Sequence, residues 1–205
     1  MSRFLRSAVL SLLAIFVASS AFAAGSATTL KNLQTAFNGE SNAHARYLAF
    51  AKQADKEGYG QVASLFRAAA RAEAVHAANH AVVIKKLGGT PEAKIETPDV
   101  KTTRENLQAA IKGETYERDQ MYPEFLKQAR AVANKDAIQT FNYAKSAETE
   151  HARLYTEALN NLDTLKGSKN RAYFVCPTCG NTVVKIDFAK CPVCFTEKEK
   201  YETVS

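Results

Sequence analysis

A metal-ligand pattern that occurs twice constrains this chain more than any other feature of its sequence. In each copy, a Gly-Glu pair is followed by a Glu-x-x-His motif, and the two glutamates are 33 residues apart in one copy and 34 in the other. The copies are Gly39-Glu40 with Glu73-x-x-His76, and Gly113-Glu114 with Glu148-x-x-His151. An internal repeat of this kind predicts two similar halves, each built from a pair of helices.

The spacing within each motif predicts a shared metal site. Residues three apart lie on one face of an α-helix, so the Glu and His of each Glu-x-x-His motif can point at a common position. Two such helices, each with a neighbour that supplies one further Glu, surround a pair of cations in carboxylate-bridged helix bundles. Carboxylate and imidazole ligands without thiolate suit iron or manganese, and zinc also accepts them. The predicted ligands are Glu40, Glu73, His76, Glu114, Glu148 and His151.

Three further side chains are candidates for the same site. Glu117 lies three residues after Glu114 on the same helix face, where a site with four glutamates does not need it. Tyr47 follows Glu40 by seven residues and Tyr122 follows Glu117 by five, so both can donate hydrogen bonds to the site. The alternatives are a solvated acid for Glu117 and core packing for each tyrosine.

Apolar periodicity from about residue 28 to residue 165 predicts four helices. The Gly-rich segments at 58–60 and 88–89 end the first two helices, and a tract with Pro91 and Pro98 separates the halves. Thr102 and Glu105 form a capping-box sequence before the third helix, and residues 134–136 mark the turn into the fourth. The pattern predicts an all-α bundle of two antiparallel hairpins joined by a long crossover.

The last 35 residues contain all four cysteines. Cys176-x-x-Cys179 and Cys191-x-x-Cys194 are separated by eleven residues, which predicts a tetrahedral four-thiolate metal site. Such a short segment cannot fold by apolar burial alone, so metal binding would supply much of its stability. A pair of disulfides is the alternative, which an exported protein would favour.

The N-terminus is typical of an export signal. Arg3 and Arg6 precede a short apolar run over residues 8–18, and Ala21-Phe22-Ala23 fits a cleavage site. An uncleaved anchor is the alternative. We therefore expect a signal peptide at 1–23, a bundle at 24–165, a linker at 166–170 and a cysteine module at 171–205. After cleavage we expect no stable membrane insertion and a periplasmic location.

Charge gives no indication of nucleic-acid binding. The formal net charge is +6. No Lys/Arg stripe with interleaved aromatic residues is present in the sequence, although polynucleotide recognition commonly uses one.

Together these motifs resemble the rubrerythrin family over residues 28–204. The carriers are the two Gly-Glu pairs, the two Glu-x-x-His motifs, Glu117 with Met121-Tyr122-Pro123, and the paired cysteines. The resemblance implies a ferritin-like four-helix bundle with a non-haem, oxo/carboxylate-bridged di-iron centre. It also implies a small C-terminal rubredoxin-like domain, a metal-stabilised β/loop unit whose iron has four thiolate ligands.

The resemblance further implies a peroxidase that reduces hydrogen peroxide to water and protects against oxidative stress. Glu73 and Glu148 would bridge the irons, Glu40 and Glu114 would be terminal ligands, and His151 would bind one iron throughout. The other iron would exchange Glu117 for His76 on reduction. Tyr47 and Tyr122 would donate hydrogen bonds to the ligands. Electrons from a donor protein would pass through the four-cysteine iron, which lies near the partner subunit's di-iron centre in a head-to-tail homodimer.

Two positions and the export signal depart from the family pattern. Phe195 stands where the second cysteine pair is usually followed by Gly, so a left-handed backbone is expected to be strained there. Asn181 replaces the usual aromatic residue after Cys179-Gly180.

Two other functions stay open: a ferritin-like ferroxidase that handles iron, and a zinc-binding or redox-sensing protein.

Overall fold

The fold is that of a computed structural model, which describes the backbone of residues 2–205 and side chains from residue 25 onward. The side chains of the predicted signal peptide therefore lie outside the described part, and export stays a prediction. The helices of the bundle are α1 (Ser2–Lys56), α2 (Gly60–Lys86), α3 (Thr103–Tyr116), α4 (Tyr122–Ala131) and α5 (Lys135–Asn160). Among the residues the structure describes, no helix is long and apolar enough to span a membrane.

The bundle confirms the predicted fold class. Helices α1 and α2 form one antiparallel hairpin, and α3 with α4 packs against α5 to form the other. Residues 87–102 connect the hairpins as an extended crossover. The backbone N–H groups of Lys94 and Glu96 donate to the side chains of Asn38 and Asn42 on α1, both at 2.8 Å. These hydrogen bonds hold the crossover along the first hairpin.

Two apolar clusters fill the bundle, and the predicted metal ligands lie between them. One cluster contains Tyr47, Phe50, Phe66, Leu107 and Tyr155, and the other contains Leu33, Ile84, Tyr122, Leu126 and Phe141. On each long helix, the predicted ligands fall between the residues of one cluster and those of the other. The result is a buried polar layer across the middle of the bundle.

Local signals explain the starts of the second pair of helices. The predicted capping box is confirmed, because Glu105 N–H donates to Thr102 Oγ1 at 3.3 Å and Thr102 N–H donates to Glu105 Oε2 at 3.2 Å. Asn134 caps α5, since its side chain accepts from Ala137 N–H at 3.0 Å. Such caps satisfy N–H groups that have no carbonyl acceptor within the helix.

A π-helix interrupts the predicted third helix. It spans Glu117–Met121, directly between α3 and α4. Pro123 lies near the start of α4 and has no N–H, so a regular helix could not continue its hydrogen bonding through this position. A π segment is a common response to such a break and is frequent at functional sites.

The C-terminal module is a small three-stranded antiparallel sheet. Its strands are β1 (Tyr173–Val175), β2 (Thr182–Val183) and β3 (Glu202–Val204), in the order β2-β1-β3. In the register of β1 and β2, Val175 pairs with Thr182. The two cysteine loops lie beside this sheet, with the buried Tyr201 packed against them.

The module packs against its own bundle. Arg71 on α2 makes two hydrogen bonds to the Glu202 carboxylate, at 2.6 and 2.9 Å, and Asn79 Nδ2 donates to the Thr178 carbonyl at 2.9 Å. The linker is also held, because Gly167 N–H donates to the Gly58 carbonyl at 2.8 Å. The structure thus fixes the cysteine module beside α2 and α5 of the same chain.

Candidate metal centres

The middle of the bundle brings six predicted ligands together from four helices. None is more than 1% exposed. They form two groups of four, in each of which one ligand atom per residue lies within 4.8 Å of the others. The groups are Glu40, Glu73, His76 and Glu148, and Glu73, Glu114, Glu148 and His151. Because Glu73 and Glu148 belong to both groups, the geometry is that of two metal positions joined by two carboxylates.

The two imidazoles face the carboxylates with the same ring nitrogen. His76 Nδ1 lies 2.8 Å from Glu73 Oε2 and 3.1 Å from Glu148 Oε1. His151 Nδ1 lies 2.9 Å from Glu148 Oε2 and 3.4 Å from Glu73 Oε1. Each histidine is thus close to both shared carboxylates, as a ligand of one metal in a bridged pair must be.

Several buried polar atoms of this layer have no hydrogen-bond partner, which indicates whether cations would fit there. One or more carboxylate oxygens of each of the four glutamates, and His151 Nδ1, are buried without a hydrogen bond. Burial raises the pKa of Glu40 well above its usual range, with Glu117 and Glu73 adding to the effect, and burial likewise raises the pKa of Glu114. Buried carboxylates without a counter-charge are costly, and metal cations remove that cost. The donor set therefore fits a carboxylate- and histidine-bound two-metal site.

Glu73 is the exception among the glutamates. Burial alone would raise its pKa, but the neighbouring imidazoles of His151 and His76 outweigh burial and lower the pKa of Glu73 below its usual range. A carboxylate that stays ionised between two imidazoles is suited to bridge two cations.

Glu117 lies beside the two groups and belongs to neither. It is half-buried and is the first residue of the π-helix. Burial raises the pKa of Glu117 well above its usual range, and the negative charges of Glu148 and Glu73 add to that shift. The structure thus places His76 in one of the ligand groups. Glu117 lies outside both groups but close enough for the charges of their glutamates to shift its pKa.

The two candidate tyrosines donate to the two glutamates that are not shared. Tyr47 Oη donates to Glu114 Oε1 at 2.6 Å, and Tyr122 Oη donates to Glu40 Oε1. Both tyrosines are at most 1% exposed. Each tyrosine therefore packs in the core and also donates a hydrogen bond to the site, so the two predicted roles are compatible.

Two residues near the site were not singled out from the sequence. His80 is fully buried and its Nε2 lies 3.1 Å from Tyr122 Oη, while Thr140 Oγ1 lies 2.9 Å from its Nδ1. Burial lowers the pKa of His80 to about 3, with His76 adding to the effect. Tyr155 is fully buried, lies 5.5 Å from Tyr47 between ring centroids, and has a hydroxyl without a hydrogen-bond partner.

A sequence signal for both residues exists. His80 follows His76 by four residues and Tyr155 follows His151 by four, so each lies one turn from a ligand on the same helix face. The structure places His80 in the interior, beside the hydroxyl of Tyr122.

The four cysteines form a second site. Their sulfur atoms lie within 4.8 Å of one another, and all four are free thiols. Cys176 Sγ lies 3.5 Å from Cys194 Sγ, and Cys179 Sγ lies 3.6 Å from Cys191 Sγ. Metal–sulfur bonds of about 2.3 Å in a tetrahedron require sulfur separations close to these. The disulfide alternative is therefore wrong for this structure, and the arrangement is a four-thiolate metal site.

The cysteine module contacts the two-metal site directly. His76 Nε2 lies 3.2 Å from the Cys179 carbonyl oxygen, and His151 Nε2 lies 3.1 Å from Thr182 Oγ1. Gly180 has φ +77°, and a Cβ at this position would clash with the His76 ring. Glycine is therefore required there for the loop to approach the histidine.

A four-helix bundle with a carboxylate-bridged two-metal site and a separate four-thiolate site defines a class of two-metal carboxylate proteins that carry a rubredoxin-like module. Residues 31–159 match the Rubrerythrin family. The chain belongs to the rubrerythrin family.

Individual relatives agree with this assignment. Nigerythrin of Nitratidesulfovibrio vulgaris is 40% identical over 186 residues, which cover 90% of each chain. Rubrerythrin-2 of Clostridium acetobutylicum is 36% identical over 183 residues, covering 86% of this chain and 96% of the relative. A structure of fully reduced, all-ferrous nigerythrin superposes with a TM-score of 0.78 at 37% identity, over 85% of this chain and 86% of that one.

Proposed function

We propose that the chain is a peroxidase that reduces hydrogen peroxide to water, with electrons supplied through the four-cysteine site. The balanced reaction joins one peroxide, two electrons and two protons to give two waters. The observation that carries the proposal is the contact between the two sites. The loop that holds Cys179 lies against His76, a candidate ligand of the two-metal site, within one chain.

We propose iron for both sites. Iron is what the nigerythrin structure contains, as all-ferrous metal. A ferrous pair in the bundle would supply both electrons that cleavage of one O–O bond consumes. Glu73 and Glu148 would bridge the pair, Glu40 and Glu114 would bind at its ends, and the histidines would complete the set. The four cysteines would hold the third iron.

The side chains around the ligands fix their positions. Tyr47 and Tyr122 each occupy one oxygen of a terminal glutamate, which leaves the other oxygen free to face the metal. Glu117 would replace His76 as a ligand in the oxidised protein. Its place at the start of a π-helix supports this, because π-helical segments inside α-helices occur frequently at functional sites.

The family resemblance carried an expectation about which two-metal centre the four-cysteine site lies beside. That expectation placed the cysteine site near the centre of a partner subunit, whereas here the module contacts the centre of its own chain. The reason is the linker, which hydrogen-bonds back onto the turn between α1 and α2. A head-to-tail homodimer and an external donor protein stay part of the proposal, as does export to the periplasm through residues 1–23.

A cysteine double variant tests the proposal against a ferroxidase. In Cys191→Ser/Cys194→Ser, donor-coupled peroxide reduction should be lost, while oxidation of added ferrous iron by oxygen, at a site whose metal ligands all lie in the bundle, should persist at least in part. Loss of both activities, or peroxide reduction at the wild-type rate, would contradict the proposal. A protein that takes up zinc and stays colourless after iron reconstitution would favour the zinc-binding alternative.

A further inference from the structure

We propose that Thr182 is a positioning residue for the two-metal site and fixes the ring of His151 in the form that can bind metal. This inference rests on the ligand role proposed above for His151. The cysteine module would then have two roles, since it would hold its own metal and also orient a metal ligand of the bundle.

The placement of Thr182 is unusually constrained for a hydroxyl residue. It lies on β2, is fully buried, and pairs with Val175, the residue before Cys176. Its Oγ1 donates a hydrogen bond to the Gly180 carbonyl at 3.0 Å. The same oxygen lies 3.1 Å from His151 Nε2 on α5.

Counting protons decides the direction of the second hydrogen bond. A threonine hydroxyl has one hydrogen, and a carbonyl oxygen can only accept. Since the Thr182 hydrogen is directed to the Gly180 carbonyl, only lone pairs of Oγ1 face His151. In this arrangement, a hydrogen bond between the two side chains requires that His151 Nε2 carry a hydrogen and donate it to Thr182.

That assignment settles which nitrogen of His151 is available to metal. A neutral imidazole carries one N–H, so Nδ1 has the lone pair. Nδ1 is the nitrogen that lies 2.9 Å from Glu148 Oε2, 3.4 Å from Glu73 Oε1 and 3.7 Å from Glu114 Oε1. The opposite tautomer would place two lone pairs against each other at Thr182 and block Nδ1 with a proton.

The same hydrogen bonds connect the orientation of His151 to the cysteine loop. Gly180 follows Cys179 directly, and its carbonyl accepts from Thr182. Partners of this kind fix the tautomer and ring orientation of metal-bound histidines. Since β2 is hydrogen-bonded to β1, the position of Thr182 depends on an intact module.

The test compares isosteric and conservative substitutions in the full-length protein. Thr182→Val keeps the β-branched shape and removes the hydroxyl, whereas Thr182→Ser keeps the hydroxyl. Thr149→Val, at an exposed position on the same helix as His151, is the matched control. The probe is zinc, which fills both sites without unpaired electrons and permits nitrogen NMR of the imidazoles.

The wild type, Thr182→Ser and Thr149→Val should show His151 protonated at Nε2, with metal at Nδ1. Thr182→Val should lose this well-defined signature, and zinc at the bundle site should bind about tenfold more weakly, as expected for loss of a partner of a ligand. The zinc in the four-cysteine site should stay bound in all variants.

Either of two results would overturn the inference. One is a wild-type spectrum in which His151 carries its proton at Nδ1, which needs no variant. The other is unchanged zinc affinity and unchanged His151 signals in Thr182→Val with an intact module. Neither readout involves peroxide, so a protein that failed as a peroxidase could still show the predicted His151 signature.

Discussion

The two halves of the bundle present the same metal ligands but differ in what surrounds them. Glu40, Glu73 and His76 in the first half correspond to Glu114, Glu148 and His151 in the second. Each tyrosine donates to a glutamate of the opposite half, since Tyr47 on α1 donates to Glu114 and Tyr122 on α4 donates to Glu40. The repeated residues thus build one symmetric site.

The positions that break the repeat are chemically more informative. Glu117 lies three residues after Glu114, whereas Ala43 lies three residues after Glu40. His80 follows His76 where Tyr155 follows His151. His76 contacts a backbone carbonyl of the cysteine loop, while His151 contacts the Thr182 side chain. We propose that the repeated residues bind the metals and that the asymmetry around His76 serves the proposed redox function.

The largest expected effect follows loss of a shared ligand. Glu148→Gln should weaken both metal positions by more than about 100-fold, since loss of a mere hydrogen-bond partner of a ligand already costs 10–100-fold. Metal analysis after desalting measures this. Glu150→Gln, two residues away on the same helix and outside both ligand groups, is the control. Retention of one metal by Glu148→Gln would show that the two positions are not bridged by this carboxylate.

Glu117→Ala tests the asymmetry directly. We expect both metals to stay bound in the reduced protein, because Glu117 belongs to neither ligand group, and peroxide turnover to fall at least about tenfold, because the proposed ligand exchange is lost. Steady-state peroxide consumption with metal content measured in parallel checks this, with Glu124→Ala as a surface control. Unchanged turnover in Glu117→Ala would remove the proposed ligand exchange.

Removal of metal should make stability depend on pH in a defined direction. In the folded metal-free protein the pKa values of Glu40, Glu114, Glu117, His76 and His151 are raised. For the glutamates the cause is burial, whereas for the histidines nearby glutamates outweigh burial. The folded state therefore holds more protons than the unfolded chain, and stability is lost as pH rises through the folded pKa values.

The fall in stability of the metal-free protein should be measured above about pH 6.5. Lowered pKa values, as for Glu73 and His80, act in the opposite direction, but only below the unfolded values of about 4.3 and 6.5. Denaturant unfolding of the metal-free protein from pH 6.5 to 8.5 should show falling stability, and the metal-loaded protein should not. A rise with pH in the metal-free protein would contradict the charge assignment.

Substitution of the two tyrosines should lower stability by different amounts, although each donates to one glutamate of the site. Tyr122→Phe removes the hydrogen bonds of both Glu40 Oε1 and His80 Nε2, whereas Tyr47→Phe removes that of Glu114 Oε1 alone. Each lost partner costs about 1–3 kcal/mol, so Tyr122→Phe should destabilise the protein more. Chemical denaturation of the two variants compares them, and equal losses would mean that His80 contributes nothing.

The smallest effect is expected at Phe195, whose backbone has φ 63° while its side chain is 73% exposed. The backbone at Phe195 is thus left-handed, the conformation in which strain is expected for a residue other than Gly. Phe195→Gly should stabilise the module by about 1 kcal/mol, because glycine adopts this conformation without strain. Ala133, with φ 51° in the bundle, gives the matched comparison through Ala133→Gly. Thermal unfolding measures both, and a loss of stability in Phe195→Gly would show that its side chain makes a favourable contact.

The sequence predicted those parts of the molecule that depend on local spacing. The bundle, the capping box at Thr102 and the two ligand groups follow from helical periodicity and repeated motifs. The π-helix escaped prediction because it depends on how Pro123 is accommodated inside a packed helix. The contacts of Thr182 with His151 and of Cys179 with His76 escaped it because they join residues 31 and 103 positions apart. Such contacts depend on tertiary packing of the module, which no local pattern encodes.

We propose that electrons pass from the four-cysteine site to the two-metal site and then to peroxide. Stopped-flow absorbance of the anaerobically reduced, iron-loaded protein mixed with hydrogen peroxide tests this electron transfer. We expect rapid reoxidation of both the thiolate-bound iron and the bundle site, with one peroxide consumed for every two electrons. Slow reoxidation by peroxide, together with rapid oxidation of added ferrous iron by oxygen, would contradict it and indicate a ferroxidase.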